Sequence, residues 1–135
     1  MKFKVAEKRC TGCQLCEVAC CFQKCGRLGT KGARIRVLFS SHPGRQKIVV
    51  CRQCDVCKCV EACKYGAFRR HPQTGAACIH EMECQACLAC IDACPFGAVA
   101  IDEGKGLPIV CDLCGGHPTC IGVCYRGAIS LSQSP

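Results

Sequence analysis

The stretch Cys84-Gln-Ala-Cys87-Leu-Ala-Cys90-Ile-Asp-Ala-Cys94-Pro95 decides how the rest of the chain is read. Its spacing, C-x2-C-x2-C-x3-C-P, presents thiolates to a cube of four irons and four sulfides. Three cysteines within seven residues wrap one face of the cube. The fourth lies a helical turn further on, points away, and ligates the other cluster of a pair.

Working outward, three more groups end in the same C-x3-C step. Cys10, Cys13, Cys16 and Cys20 repeat the spacing without the proline. Cys51, Cys54, Cys59 and Cys63 are spaced C-x2-C-x4-C-x3-C. Cys111, Cys114, Cys120 and Cys124 are spaced C-x2-C-x5-C-x3-C. Four groups predict four [4Fe–4S] clusters in two ferredoxin-like modules, an α+β arrangement of short strands and short helices. Zinc is the first rival. Structural zinc sites use separated cysteine or histidine pairs closing a tetrahedron, and none of His42, His71, His80 or His117 stands at a ligand spacing.

Composition agrees. A chain of 135 residues with no Trp, two Tyr and five Phe has little ordinary core, whereas its 20 Cys are far above average usage. Bound metal then supplies folding free energy. The start MKFKVAEKRC has no apolar segment of the secretory kind, so the thiols read as ligands rather than disulfides. A cytoplasmic protein without its own membrane span is expected; passage to the periplasm on an exported partner stays open. The formal charge of +8 counts every Cys as neutral. Four clusters at about −2 each, ligands included, bring the loaded protein near neutrality. The basic residues are scattered and aromatics few, which argues against a nucleic-acid partner.

Cys21, Cys25, Cys57 and Cys78 are left over and read as small buried apolar residues. Cys57 competes with Cys59 as third ligand of the second group; Cys59 preserves the C-x3-C ending. Between the groups, Arg34–Phe39 and Gln46–Val50 predict a hairpin turning at SSHPGR, and Ala67–Arg70 with Ala76–His80 a second one. Ala98–Ile101 and Ala128–Leu131 read as short strands. Helices are expected over Cys16–Cys25, Cys59–Tyr65, Cys90–Pro95 and Cys120–Tyr125, and the polar tail SLSQSP as frayed.

The stretches CTGCQLCEVAC, CRQCDVCKCVEAC, CQACLACIDACPFGA and CDLCGGHPTCIGVC resemble the four-cluster, ferredoxin-like subunits of multisubunit redox enzymes. These serve tungsten or molybdenum aldehyde oxidoreductases, formate dehydrogenases, carbon monoxide dehydrogenase, hydrogenases and dimethyl sulfoxide reductase. The short fourth group is most similar to subunits of aldehyde oxidoreductase-type tungsten enzymes. The resemblance runs from Lys8 to about Ser130. It implies an electron-transfer subunit with no catalytic site of its own, oxygen-labile clusters and an anaerobic setting. The implied partners are a large molybdopterin or tungsten subunit and an external acceptor such as a further subunit or ferredoxin. A free polyferredoxin shuttle is the alternative.

The resemblance also implies nested pairing. Cluster one would use Cys10, Cys13, Cys16 and Cys124; cluster two Cys51, Cys54, Cys59 and Cys94. Cluster three would use Cys84, Cys87, Cys90 and Cys63; cluster four Cys111, Cys114, Cys120 and Cys20. The spacing alone equally allows sequential pairing, first group with second and third with fourth. Under nesting, residues 1–135 form one polyferredoxin unit. Module A spans 51–102, module B spans 1–33 plus 103–135, and the hairpin occupies 34–50. The proline after the last cysteine, usual in the family, is present only at Pro95; Lys64 and Tyr125 hold two of the other places.

Overall fold

The computed structural model describes residues 2–41 and 46–132. Regular structure comes in short pieces. Among the described residues, eight strands pair two by two. β1 (Lys2–Val5) pairs antiparallel with β8 (Ile129–Ser132), and β2 (Arg36–Phe39) with β3 (Gln46–Val49). β4 (Phe68–Arg70) pairs with β5 (Ala77–Ile79), and β6 (Ala100–Asp102) with β7 (Leu107–Ile109). The architecture is α+β, as the sequence predicts.

Four helices carry the C-x3-C steps. α1 (Leu15–Cys25) is the long one; α2 (Lys58–Ala62), α3 (Ala89–Ala93) and α4 (Thr119–Val123) make little more than one turn. α1 ends at Gly26, whose left-handed backbone (φ 69°) lets its N–H return to the Phe22 carbonyl at 2.9 Å. α1 packs on α4 and α2 packs on α3.

Both expected hairpins form, and the SSHPGR turn falls partly on residues 42–45, outside the described residues. Three expectations change. The helices at Cys59, Cys90 and Cys120 stop before their last cysteine, which takes an extended backbone. Leu107–Ile109 is a strand absent from the sequence reading, paired with Ala100–Asp102; a ribbon of two strands tolerates its proline. In the SLSQSP tail, Ser130–Ser132 is not frayed but paired, with Lys2–Lys4 opposite, and residues 133–135 lie outside the described residues.

The interior mixes aliphatic and aromatic residues with thiols. Phe3, Ile35, Ile48, Val50, Phe68, Val99, Leu113 and Ile129 are buried together with Cys20, Cys51, Cys59, Cys90, Cys111 and Cys120. Among the described residues no helix is long and apolar enough to cross a membrane.

Candidate iron–sulfur centres

The cysteine loops curl through left-handed backbone. Gln14, Gln53, Ala86, Leu88, Leu113 and Cys114 all have φ between 48° and 62°. Each stands inside a cysteine group, where a left-handed residue turns successive thiols and N–H groups to the concave side. Non-glycine residues in this region cost about 1–3 kcal/mol each. A set of six confined to the cysteine loops fits strain retained because a bound group over-determines the loop.

After the fourth cysteine the chain makes a tight turn. Gly97 and Gly127 sit at φ 64°, with N–H groups 3.4 Å from the Cys94 carbonyl and 3.2 Å from the Cys124 carbonyl. The turn brings the next N–H onto sulfur, Ala98 to Cys94 Sγ at 3.5 Å and Ala128 to Cys124 Sγ at 3.4 Å. Other loops do the same. Gly12 N–H lies 3.4 Å from Cys10 Sγ, Gln53 N–H 3.4 Å from Cys51 Sγ, and Arg34 N–H 3.1 Å from Cys20 Sγ.

Three recesses gather thiols from distant groups. One is lined by Cys10, Cys13, Cys16 and Cys124. A second is lined by Cys63, Cys84, Cys87 and Cys90. A third is lined by Cys51, Cys54, Cys59 and Cys94, with Cys57 as a fifth thiol. Cys111, Cys114 and Cys120 are electrostatic neighbours of Cys20. In each case the fourth cysteine of one group stands with the first three of another: group one with group four, group two with group three. Cys13 and Cys87 are exposed, whereas Cys20, Cys51, Cys59, Cys90, Cys111 and Cys120 are buried.

The donors fit a cationic, polynuclear group. Burial pushes the thiols of Cys16, Cys51 and Cys111 up to about 12, and those of Cys59 and Cys90 up to about 11. Neighbouring thiolates add to the rise; for Cys120 they come from Cys111, Cys20, Cys114 and Cys16. Buried thiols that oppose one another's ionisation become thiolates when metal displaces their protons. Cys63 departs from this. Burial pushes its thiol up, but the N–H groups of Phe68, Tyr65, Ala67 and Gly66 together hold it below the usual range. Among the described residues no group of three or more His, Cys, Asp or Glu is close enough to hold one metal ion.

The leftover cysteines divide. Cys21 and Cys57 are buried, and Cys25 and Cys78 half-buried. Cys21 donates its S–H to the Lys31 carbonyl at 3.0 Å. Two buried polar residues escape a reading of cysteine spacing. Glu17 and Gln53 both sit inside cysteine groups, and both are almost inaccessible. Glu17 carries a faint signal, since it shares a helix face with Cys20 and Cys21 at i+3 and i+4. Gln53 carries none.

Comparison with known proteins agrees with this chemistry. The chain is 40% identical over 122 residues to the "aliphatic sulfonate oxidoreductase, polyferredoxin-like subunit" of Pyrococcus furiosus, covering 90% of this chain and 70% of that protein. It is 29% identical to the "electron transport protein HydN" of Escherichia coli, covering 95% and 86%. It is 32% identical to the NADH-dependent phenylglyoxylate dehydrogenase subunit beta of Aromatoleum evansii, covering 90% and 28%. Among solved structures, a chain of the active site complex BamBC of benzoyl coenzyme A reductase superposes with TM-score 0.57 at 21% identity, covering 96% of this chain and 77% of that one. That likeness is one of fold. Residues 47–134 match the 4Fe-4S dicluster domain. Together with four thiol sets and electron-transfer relatives along nearly its whole length, the match means that this chain belongs to the 4Fe-4S dicluster family of iron–sulfur electron-transfer proteins.

Proposed function

We propose that the protein is the electron-transfer subunit of a larger redox enzyme and holds four [4Fe–4S] clusters in nested pairs. Site one is Cys10, Cys13, Cys16 and Cys124. Site two is Cys51, Cys54, Cys59 and Cys94. Site three is Cys84, Cys87, Cys90 and Cys63, and site four is Cys111, Cys114, Cys120 and Cys20. The observation carrying this reading is the convergence of Cys124, Cys94 and Cys63 on the recesses of their nested partners, with Cys20 beside Cys111, Cys114 and Cys120, α1 against α4 and α2 against α3. Cys57 stays outside the ligand set, because its sulfur already donates to the Cys54 carbonyl at 3.1 Å and accepts from Arg70 at 2.8 Å.

A bound cluster supplies one-electron exchange without bond chemistry. The protein's residues arrange the sites in a row. α1 carries Cys16 of site one and Cys20 of site four on consecutive turns. Cys111 of site four is an electrostatic neighbour of Cys51 of site two, and the α2–α3 pair joins sites two and three. The order one, four, two, three has its exposed thiols, Cys13 and Cys87, at opposite ends. One end would face the catalytic subunit and the other an external carrier.

The partner favoured is an aldehyde oxidoreductase-type tungsten or molybdenum subunit. Its support is the short fourth group and the likeness to a polyferredoxin-like subunit of an aliphatic sulfonate oxidoreductase. The protein has no catalytic site of its own in this reading and works in the cytoplasm. Anaerobic purification with iron and sulfide analysis tests the loading. Four irons and four sulfides per site at all four sites are expected, together with a large pterin-containing subunit eluting with the chain. Zinc, or two clusters only, would overturn the reading.

A further inference from the structure

Two charged side chains of opposite sign flank the sites without ligating anything. Glu17 directly follows Cys16 and is 5% exposed. One carboxylate oxygen accepts from the Val37 N–H, and the other from Gln14 Nε2 at 3.0 Å. Both donors are neutral, and among the described residues Glu17 forms no ion pair. Arg126 lines the recess of site one, but it is exposed and screened. Glu17 is therefore a buried carboxyl group beside Cys16 of site one, held by two neutral donors in the first turn of α1 and facing no cationic side chain in an ion pair.

Site two has the reverse arrangement. Arg70, half-buried at the end of β4, donates one guanidinium N–H to Cys57 Sγ at 2.8 Å and another to the Gly75 carbonyl at 2.9 Å. Cys57 lines the recess of site two and bonds the ligand loop at Cys54. The guanidinium is thus tied to the wall of the site through one sulfur. Arg52 stands on the same recess, 5.7 Å from the ring centroid of Phe96. Among the described residues no acidic side chain lines it; Asp55 of the same loop is 79% exposed and engaged by Lys2 at 2.7 Å.

We propose that Glu17 and Arg70 are positioning charges that grade the electron path, lowering the potential at site one and raising it at site two. This deepens the four-site reading and rests on it. Reduction adds one negative charge to a cluster. A buried anion nearby opposes that charge and a tethered cation favours it. An electron delivered by the catalytic partner at the Cys13 end then runs downhill to the interior and rests at site two.

The test removes each charge and keeps its shape. In the loaded protein, Glu17→Gln retains an oxygen for the Val37 N–H. It should raise one midpoint so that the reduced-to-oxidised ratio of that cluster at fixed potential changes tenfold or more, equal to about 59 mV for one electron. Arg70→Gln should lower a different midpoint by a comparable factor, and Arg70→Lys should restore most of it. Midpoints are read by redox titration with electron paramagnetic resonance, and Cys13→Ser and Cys54→Ser mark the signals of sites one and two. If either charge variant fails to load, the wild-type titration decides, because the signal altered by Cys54→Ser must appear at higher potential than that altered by Cys13→Ser. Full iron and sulfide content with midpoints unmoved, or moved the opposite way, overturns the grading and leaves the four-site reading standing. A purely structural role would change loading or melting but leave the potentials of loaded clusters where they were.

Discussion

Replacing Gln53 by Met should loosen the junction between sites two and four more than any other change outside the cysteines. Gln53 is 2% exposed and lies between Cys51 and Cys54. Its amide nitrogen donates to the Cys111 carbonyl at 2.9 Å, and its amide oxygen accepts from the Ala77 N–H at 2.8 Å. One side chain therefore joins the second group's loop, β5 and the fourth group's loop. Met keeps a similar volume and removes both hydrogen bonds. Each buried partner left alone costs about 1–3 kcal/mol, so the pair costs about 2–6 kcal/mol. That is a large share of the roughly 5–15 kcal/mol available to a domain. Cluster absorbance during anaerobic thermal melts, at matched iron content, provides the assay. A loss of about 3–4 °C per kcal/mol suits a chain of this size, giving a drop of about 6–24 °C with early iron release. A Met variant melting within about 2 °C of wild type, the equivalent of roughly 0.5 kcal/mol, would refute the argument that this amide holds the two loops together.

Other outcomes follow from the same geometry. Cys57→Ser should leave iron and sulfide content unchanged whereas Cys59→Ser removes one cluster's worth, as metal analysis will show. Gly97→Ala should cost about 1–2 kcal/mol of melting stability from its φ of 64° alone, since nothing lies within 4 Å of the added methyl. Lys64→Pro should lower the potential of the nearest cluster, but by less than Arg70→Gln, because Lys64 is exposed and screened; an upward shift in the redox titration would contradict this. Stripping iron with a chelator should abolish most ordered structure in circular dichroism. Any residual metal-free fold should weaken as pH rises from the ordinary thiol range near 8.5 toward 11–12. Burial raises the folded-state values of Cys16, Cys51 and Cys111 to about 12, so the folded chain resists losing protons that the unfolded chain gives up.

The cysteine spacing made the four thiol groups and the helical step between their third and fourth members legible, because those distances are local. The β2–β3 and β4–β5 hairpins were legible for the same reason, with apolar runs on either side of short turns. Which groups meet is a matter of long-range packing, and spacing permits two answers. The β1–β8 pairing was also hidden: Ala128–Leu131 reads as a short strand, but KFKV is too short and too polar to show itself as its partner. β7 was not read from the sequence, since Leu107–Ile109 is only three residues long and contains a proline. The charges around the sites were the least visible. Glu17 and Gln53 look like ordinary surface residues in the sequence, and only the curl of their loops takes them out of water. Arg70 and Cys57 are 13 residues apart and meet through the hairpin between them.

The seam between β1 and β8 bears on biosynthesis. β8 is made about 130 residues after β1, and α1 must likewise wait for α4 to cover it. The ribosome releases the central stretch, where α2 meets α3, well before the outer halves can close. Under nested ligation the polypeptide matures from the inside out. The inner pair of sites can accept iron and sulfide while Cys10, Cys13 and Cys16 still lack Cys124, so the early thiols need shielding from oxidants or a carrier that delivers clusters late.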